Sequence, residues 1–587
     1  MRFPTSFFEI LRMSPQKLAI LFVCFLILSV AIVFGVSIHN PYYFDDFLVL
    51  RDNGWLHGLR PPLGWFRTIY VDSNQIFPGY RPTLMLSFWA NIRLFGDQIS
   101  VLRMGNIFLH TLNAFLLIQL LIFLRKKGFK DWIAWGAGFL FLFHPVQTLG
   151  INFLWKRSSL LEATFLLLSM NLHVKERNRA NAYRVWVIVA QLFLCFLTVT
   201  TKESGIIFGG LLFLVDICFF FKRKKLLTLR NIILYGALGF LTLTFVWFRL
   251  EYINQAIAST ATSFHHWRRM GKLQYFMASL EVIPEYLSLW LAPHPLILED
   301  PLPVTQFPWL GVMISFSLLS VSILLSIRYS KERLVAFSLG LFWIGLFPTI
   351  GPTPIFFVMD QIRLYLPLAG LSLLMALLLT QLGRFLGNRI HPMLPLSLLI
   401  LLYSSLSMAQ NIRYHYPPLI WQDVIEKYPY SGLAWEHLGA SLDALHLYDE
   451  AMKTYEMASR VEPGNKMVQI LALQSGIKAG LPKAQLKPKL PKLQDISHDR
   501  LDILGVLNLS ILEAELGEEK RAEERLLQMT QLYPYYANGH LNLGVLWERM
   551  GKLEQAKRAY ANALTLSPTN RRAKEAVDRL GRPTGPP

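Results

Sequence analysis

A chain of 587 residues with 53% hydrophobic and 17% charged residues, and a mean hydropathy of +0.36, is too apolar for a soluble enzyme, where about a quarter of residues are charged. The net charge of +19 suggests nucleic acid at first sight, but the excess sits in short segments between apolar runs, where basic residues set topology and meet anionic lipid headgroups; no basic face interleaved with stacking aromatics is present, so no nucleic-acid partner is expected. Cys24, Cys195 and Cys218 all lie inside apolar runs without a C-x-x-C partner, which argues against a disulfide framework and a thiolate metal site.

The N-terminus places Arg2, Arg12 and Lys17 before a long apolar stretch. This stretch is too long for a signal-peptide core and no small-x-small cleavage site follows it, so it reads as an uncleaved first span. Taking about 20 residues as the spanning length, eleven spans are expected near 18–36, 104–124, 132–150, 158–173, 185–200, 204–221, 231–249, 309–327, 334–350, 363–383 and 393–410. Alternate connections are basic: RKKGFK (125–130), VKERNRANAYR (174–184), KRKKLLTLR (222–230), RYSKER (328–333) and GRFLGNR (384–390). The positive-inside rule puts these in the cytoplasm with the N-terminus, and an odd number of spans sends the tail to the external side.

HNPYYFDDFLVL (39–50) follows directly on the first span and opens the external loop 37–103. An adjacent carboxylate pair among aromatics, Asp45 and Asp46, is either an interfacial turn or a catalytic base held at the membrane surface. Further along, TLMLSFWANIRLF is too short to span and reads as a helix lying in the interface, as does 275–293, where Glu281, Pro284 and Glu285 argue against a twelfth span.

External segments also carry Arg51, Arg60, Arg67, Arg81, Arg93, Arg103, Arg157, Lys202-Glu203, Arg249 and Asp360-Gln361-Ile362-Arg363. Positive charge on that side works against the topological bias, and arginine forks match phosphate oxygens. Anionic lipid headgroups and a phosphate-bearing substrate both remain possible partners. His144, near a span end, is open between a site role and a structural histidine, and His265-His266 reads as an accident of its loop.

Past residue 411 the pattern changes. Residues 432–465 carry Trp435, Leu438, Gly439, Tyr448, Ala451, Tyr455, Ala458 and Pro463. Residues 537–570 carry Leu543, Gly544, Trp547, Gly551, Ala556, Tyr560, Ala563 and Pro568 at matching offsets, and 503–536 follow more loosely with Leu509, Gly517, Ala522 and Pro534. A period of about 34 residues is the tetratricopeptide signature. Segment 466–502 is a degenerate unit with a Lys/Pro-rich loop, LPKAQLKPKLPKL, after its first helix. Such an array performs no chemistry; its groove holds a peptide or a partner protein.

The order of features is informative: the DD motif after the first span, YRPT (80–83), FLFHPVQT (141–148), KRSSLLEATF (156–165), TKESG (201–205), RLYLPLAG (363–370), then the repeats. In this order the chain resembles the transmembrane and tetratricopeptide-repeat O-mannosyltransferases, and more broadly the GT-C glycosyltransferases that include the protein O-mannosyltransferases. The resemblance implies an all-α protein, with a GT-C-like membrane domain over 1–410 and a soluble repeat solenoid over 411–587. It also implies a polyprenyl-phosphate sugar donor, inverting transfer of a sugar such as mannose to a protein hydroxyl, and an external site, periplasmic in a bacterium or in the ER lumen of a eukaryote. Asp45 or Asp46 becomes the base, the other orienting Arg81 or binding a divalent metal. Arg81, Lys202 and Arg363, with His144, Glu203 and Arg157 behind them, become the donor-phosphate residues. The array is shorter than in eukaryotic members, which leaves a lipid or envelope glycan as an alternative acceptor. A non-enzymatic scaffold would explain the tail but not the carboxylate-arginine loop.

Overall fold

The computed structural model describes residues 15–43, 46, 50, 56, 81–124, 130–179, 184–220, 228–259, 272–294, 296, 309–329, 333–350, 358–385, 391–493, 503–534, 536–567 and 570–581. Asp45, Arg51, Arg60, Arg67, His265 and His266 lie outside the described residues. The regular structure of the described residues is helical throughout. This follows from the apolar runs: a backbone without water must satisfy its own hydrogen bonds, and a helix does so within one segment.

Among the described residues, six helices are long and apolar enough to cross a membrane: Ile99–Leu124, Glu203–Phe220, Leu229–Arg249, Trp309–Arg328, Pro367–Phe385 and Met393–Arg413. The other expected spans coincide with helices that are shorter, only partly described or more polar. Arg157–Arg179, for example, buries Glu162, Asn171, His173 and Glu176 along its length. Ile99–Leu124 packs against both Asp131–Phe143 and Arg157–Arg179, and Arg333–Leu346 packs against Pro367–Phe385.

The two pieces expected to lie in the interface are short. Pro82–Phe95 starts with proline at its first turn, buries Leu84, Met85 and Phe88, and leaves Leu94 and Phe95 exposed before Gly96 ends it. Residues 272–291 form two helices, Lys272–Glu281 and Ile283–Leu291, that break at Val282 just before Pro284.

From Pro417 the helices run as consecutive packed hairpins: Gly432–Ala444 on Tyr448–Val461, Ile503–Glu515 on Glu519–Leu532, and Ala537–Arg549 on Leu553–Leu566. Two glycines show why the repeat spacing works. A Cβ at Gly439 would come within 2.8 Å of the Tyr455 ring, and one at Gly544 within 2.8 Å of the Tyr560 ring, so each tyrosine fills the space its glycine leaves. Ser431, Asn465 and Asn570 cap helix starts through side-chain oxygens that accept from Ala434, Val468 and Ala573.

The Lys/Pro-rich segment, read from sequence as a loop, is instead a short helix, Lys483–Leu486, and a 3-10 turn, Lys487–Leu493. Leu486, Leu490 and Leu493 recur at helical spacing and enter the core shared with Ile470 and Leu473, standing where a second repeat helix would pack.

The break expected at 411 falls inside Met393–Arg413, and the apolar core runs across it through Tyr414, Trp421, Val424 and Tyr428 to Ala434 and Leu438. A Lys427–Glu285 ion pair of 2.9 Å joins the helix Pro417–Lys427 to the Ile283–Leu291 piece.

Candidate active site

The site begins where the first helix, Pro15–Phe34, ends. A 3-10 turn, Gly35–His39, carries the chain to Asn40, whose amide donates to Asn152 Oδ1 at 2.6 Å and to the Asn411 carbonyl at 3.0 Å. Asn152 in turn donates to Asn411 Oδ1 at 2.7 Å, and Asn411 to the Val33 carbonyl at 2.8 Å. All three asparagines are buried, so this network ties the loop after the first helix to the 148–152 turn and to Met393–Arg413.

Arg103 reinforces it. Its guanidinium is fully buried and donates to four backbone carbonyls, those of Ser37, Asn40, Pro41 and Asn152. The positive charge at Arg103, read from sequence as one of many external arginines, therefore holds backbone.

Asp46 sits under this clamp, fully buried. Its Oδ1 accepts from the Trp155 N–H at 2.8 Å, and its Oδ2 accepts from the Leu154 N–H at 3.1 Å and more weakly from Tyr43 at 3.4 Å. Burial pushes its carboxyl up to about 7, against the opposing pull of the Trp155 and Leu154 N–H groups and of Arg103.

The Leu154–Lys156 turn that Asp46 holds leads into a group of charged side chains drawn from distant parts of the chain. Arg81, stacked 5.2 Å from the Trp155 ring centre, donates from Nε and Nη2 to Glu203, the shortest contact being 3.0 Å. Arg249 donates to the same carboxylate. Lys202 donates to Ser159 Oγ at 2.8 Å and lies 3.8 Å from Glu162. It is within electrostatic reach of Arg81, Asp360 and Glu203 as well. Lys156 reaches Asp360 at 2.6 Å, and Arg363 faces Asp360 and Tyr286 while donating to the Val358 carbonyl at 2.6 Å. Burial alone would raise the Asp360 carboxyl, but Lys156 and Arg363 outweigh it and hold the group below the ordinary carboxylate range.

Five basic side chains, Arg81, Lys156, Lys202, Arg249 and Arg363, thus surround three acidic ones, Glu162, Glu203 and Asp360. The surplus of two positive charges is half-buried, a setting in which an anion gains more than it would in water.

Of the residues expected from sequence, Arg81, Lys202, Glu203 and Arg363 come together here. Arg157 and His144 are differently occupied. Arg157 is buried and donates to Asn106, Asn91 and the Leu102 carbonyl, with its guanidinium 4.0 Å from the Phe88 ring centre. His144 Nδ1 accepts from the Val146 N–H and Nε2 contacts the Trp290 carbonyl at 3.1 Å, a pattern in which both ring nitrogens satisfy backbone.

Lys156, Glu162 and Ser159 were not singled out from sequence, although all three stand in KRSSLLEATF beside the Arg157 that was. Among the described residues, no group of three or more His, Cys, Asp or Glu side chains is placed to hold a metal ion.

No protein-family model matches the chain. Among curated proteins it is 24% identical over 452 residues to the Protein O-mannosyl-transferase F38B6.6 of Caenorhabditis elegans, covering 75% of this chain and 62% of that one. It is 22% identical over 600 residues to the Protein O-mannosyl-transferase TMTC3 of Mus musculus, covering 92% of this chain and 63% of that one. The chain is similar to the transmembrane and tetratricopeptide-repeat O-mannosyltransferases. It spans less than two thirds of the length of these O-mannosyltransferase relatives. Among solved structures it is similar to YrrB, a TPR protein with an unusual peptide-binding site, at 19% identity over 34% of this chain and 97% of that one, TM-score 0.22. It is also similar to the APC/C hetero-tetramer Cut9-Hcn1, at 14% identity over 79% of this chain and 98% of that one, TM-score 0.19.

Proposed function

We propose that the chain is an integral-membrane, inverting glycosyltransferase of the GT-C type, which moves mannose from a polyprenyl-phosphate donor to a hydroxyl of a protein acceptor. The observation that carries this reading is the surplus of positive charge in the half-buried cluster of Arg81, Lys156, Lys202, Arg249 and Arg363. A departing lipid phosphate gains negative charge in the transition state, and fixed cations at that point lower the barrier. The acceptor oxygen bonds to the anomeric carbon from the face opposite the phosphate. The carbon–oxygen bond to the phosphate breaks, and the acceptor proton passes to a carboxylate.

In this reading Asp45 is the base, because both oxygens of its neighbour Asp46 already accept backbone N–H groups. Eleven spans place the N-terminus in the cytoplasm and both the site and the repeats on the external side. The repeat groove holds the acceptor.

The test is transfer by the purified chain in lipid nanodiscs from a polyprenyl-phosphate mannose to a hydroxyl-bearing protein, read as a hexose mass gain, together with loss of hexose from exported proteins in cells lacking the chain. We expect gain with the wild type and little with Lys202→Ala. Transfer to a lipid or glycan but to no protein would move the acceptor assignment to those classes. No transfer to any acceptor from a bound donor would overturn the enzymatic reading.

A further inference from the structure

Asp46 is a fully buried carboxylate between two parts of the protein far apart in sequence. Burying a charge is costly, and an apolar residue of similar size would fill the space at lower cost. Its use points to the groups it holds. Leu154 and Trp155 begin a three-residue 3-10 turn, and the first N–H groups of such a turn lack partners within it. Both point at Asp46, at 3.1 and 2.8 Å.

The far end of the turn is held as firmly, by the buried Arg157 on Asn91, Asn106 and the Leu102 carbonyl. Between these anchors, Trp155 presents its ring to Arg81, and Lys156, 28% exposed, reaches Asp360. Arg103 completes the frame by binding the carbonyls of Asn40 and Pro41 on one side and Asn152 on the other.

We propose that Asp46 is a positioning residue that holds the Leu154–Lys156 turn so that Lys156 serves as a further contact to the donor phosphate. The inference rests on the donor-binding reading above. Lys156 exchanges Asp360 for the phosphate or shares its ammonium between them, since three donor hydrogens serve more than one acceptor. Asp46 touches neither the phosphate nor the acceptor. Its effect passes through the backbone of the turn.

The experiment is a double-variant cycle on the full chain in nanodiscs, reading affinity for a short-chain isoprenyl phosphate. Asp46→Asn keeps the shape but turns an amide N–H towards a backbone N–H, so it releases at least one end of the turn. We expect Asp46→Asn and Lys156→Gln each to weaken binding by about tenfold, the scale of one charge-assisted contact. The double variant should also lose about tenfold, because both changes remove one contact. A loss near a hundredfold in the double variant would mean that the two residues act independently and would overturn the proposal. So would Asp46→Asn with unchanged affinity.

Arg81→Ala separates this inference from the one beneath it. If Arg81→Ala weakens isoprenyl-phosphate binding and Asp46→Asn does not, the positioning role alone fails. If wild type binds no isoprenyl phosphate, the donor reading itself fails. Should Asp46→Asn not fold, Lys156→Gln alone decides, since unchanged affinity there leaves Asp46 with no charge to position.

Discussion

Arg81 and Glu203, 122 residues apart, meet in a forked ion pair: Nε and Nη2 both reach Oε1 at 3.3 Å, and Nη2 reaches Oε2 at 3.0 Å. Glu203 also holds Arg249, so one carboxylate keeps two guanidiniums in place that would otherwise repel. Arg81→Ala should lower the transfer rate by about a hundredfold, the scale of a lost transition-state charge contact. Arg81→Lys should recover little, because an ammonium cannot keep the fork and lie over Trp155 together. Steady-state transfer rates at saturating acceptor check both, and wild-type rates in both variants would leave Arg81 as structure only.

The tail prediction takes its cut point from the packing. Ala434 and Leu438 belong to the core that includes Trp421 and Val424, and Trp421 stacks on His437 at 4.6 Å, so removing everything from 432 would expose part of that core. A chain ending after residue 465 keeps Pro417–Lys427, Gly432–Ala444 and Tyr448–Val461. We expect it to fold and to modify a short hydroxyl peptide at high concentration, but not the full protein acceptor. Normal modification of the full acceptor by the shortened chain would show that the later repeats take no part in recognition.

The helices and the repeats were legible because their signals are local and periodic. Apolar runs announce themselves by length, and Gly439 with Tyr455 and Gly544 with Tyr560 recur at fixed offsets because each pair fills one gap. The site was legible only in part. Arg81, Lys202 and Arg363 stand out as positive charge in segments the sequence expects to be external, where topology disfavours it, and Glu203 stands beside Lys202 in TKESG. Nothing in the sequence separates Lys156 from Arg157, which are adjacent yet differ in use. The first falls in a turn facing Asp360, and the second starts a helix whose buried side points at Asn106. Arg103 was unreadable for a similar reason, since its partners are carbonyls and a backbone carbonyl has no residue type. The 481–493 segment reads as a loop in sequence because Lys and Pro mask the helical spacing of Leu486, Leu490 and Leu493.

Glu436 in the tail supplies a pH prediction. Burial first, and the nearby Glu462 second, push its carboxyl up to about 7, and the Asn465 amide at 3.3 Å only partly offsets them. A folded-state value above the unfolded 4.5 means that folding favours the protonated form. The stabilisation is therefore complete below about 4.5 and is lost as pH rises through about 7. Glu436→Gln, which stays neutral, should raise the tail's thermal midpoint by about 2–4 °C at pH 8 and leave it unchanged near pH 4, below the unfolded value. The same gain at both pH values would point to packing rather than charge.

Topology is checked by cysteine labelling in a chain whose Cys24, Cys195 and Cys218 are replaced by serine. Arg60→Cys and Lys489→Cys should react with an impermeant reagent from outside, and Lys225→Cys should not. Position 489 is exposed in the 3-10 turn Lys487–Leu493, so failure to label there cannot be ascribed to burial. Labelling at 225 alone would reverse the orientation and put the charged cluster on the cytoplasmic side.

The motif FDDF holds the remaining prediction. A general base must present a free oxygen to the hydroxyl it deprotonates. Asp46 has Oδ1 on Trp155 and Oδ2 on Leu154, with no exposed surface. Asp45→Asn keeps the size and hydrogen bonding of the side chain but cannot take up a proton. It should lower turnover by at least about a hundredfold, the usual scale of general-base catalysis, with donor affinity unchanged. Asp46→Asn should do the reverse in kind, weakening donor affinity through the turn it holds. Turnover at saturating donor, measured beside isoprenyl-phosphate affinity for each purified variant, separates the two. A monodisperse Asp45→Asn protein that transfers sugar at the wild-type rate would remove the base from this motif and leave HNPYYFDDFLVL as an interfacial turn.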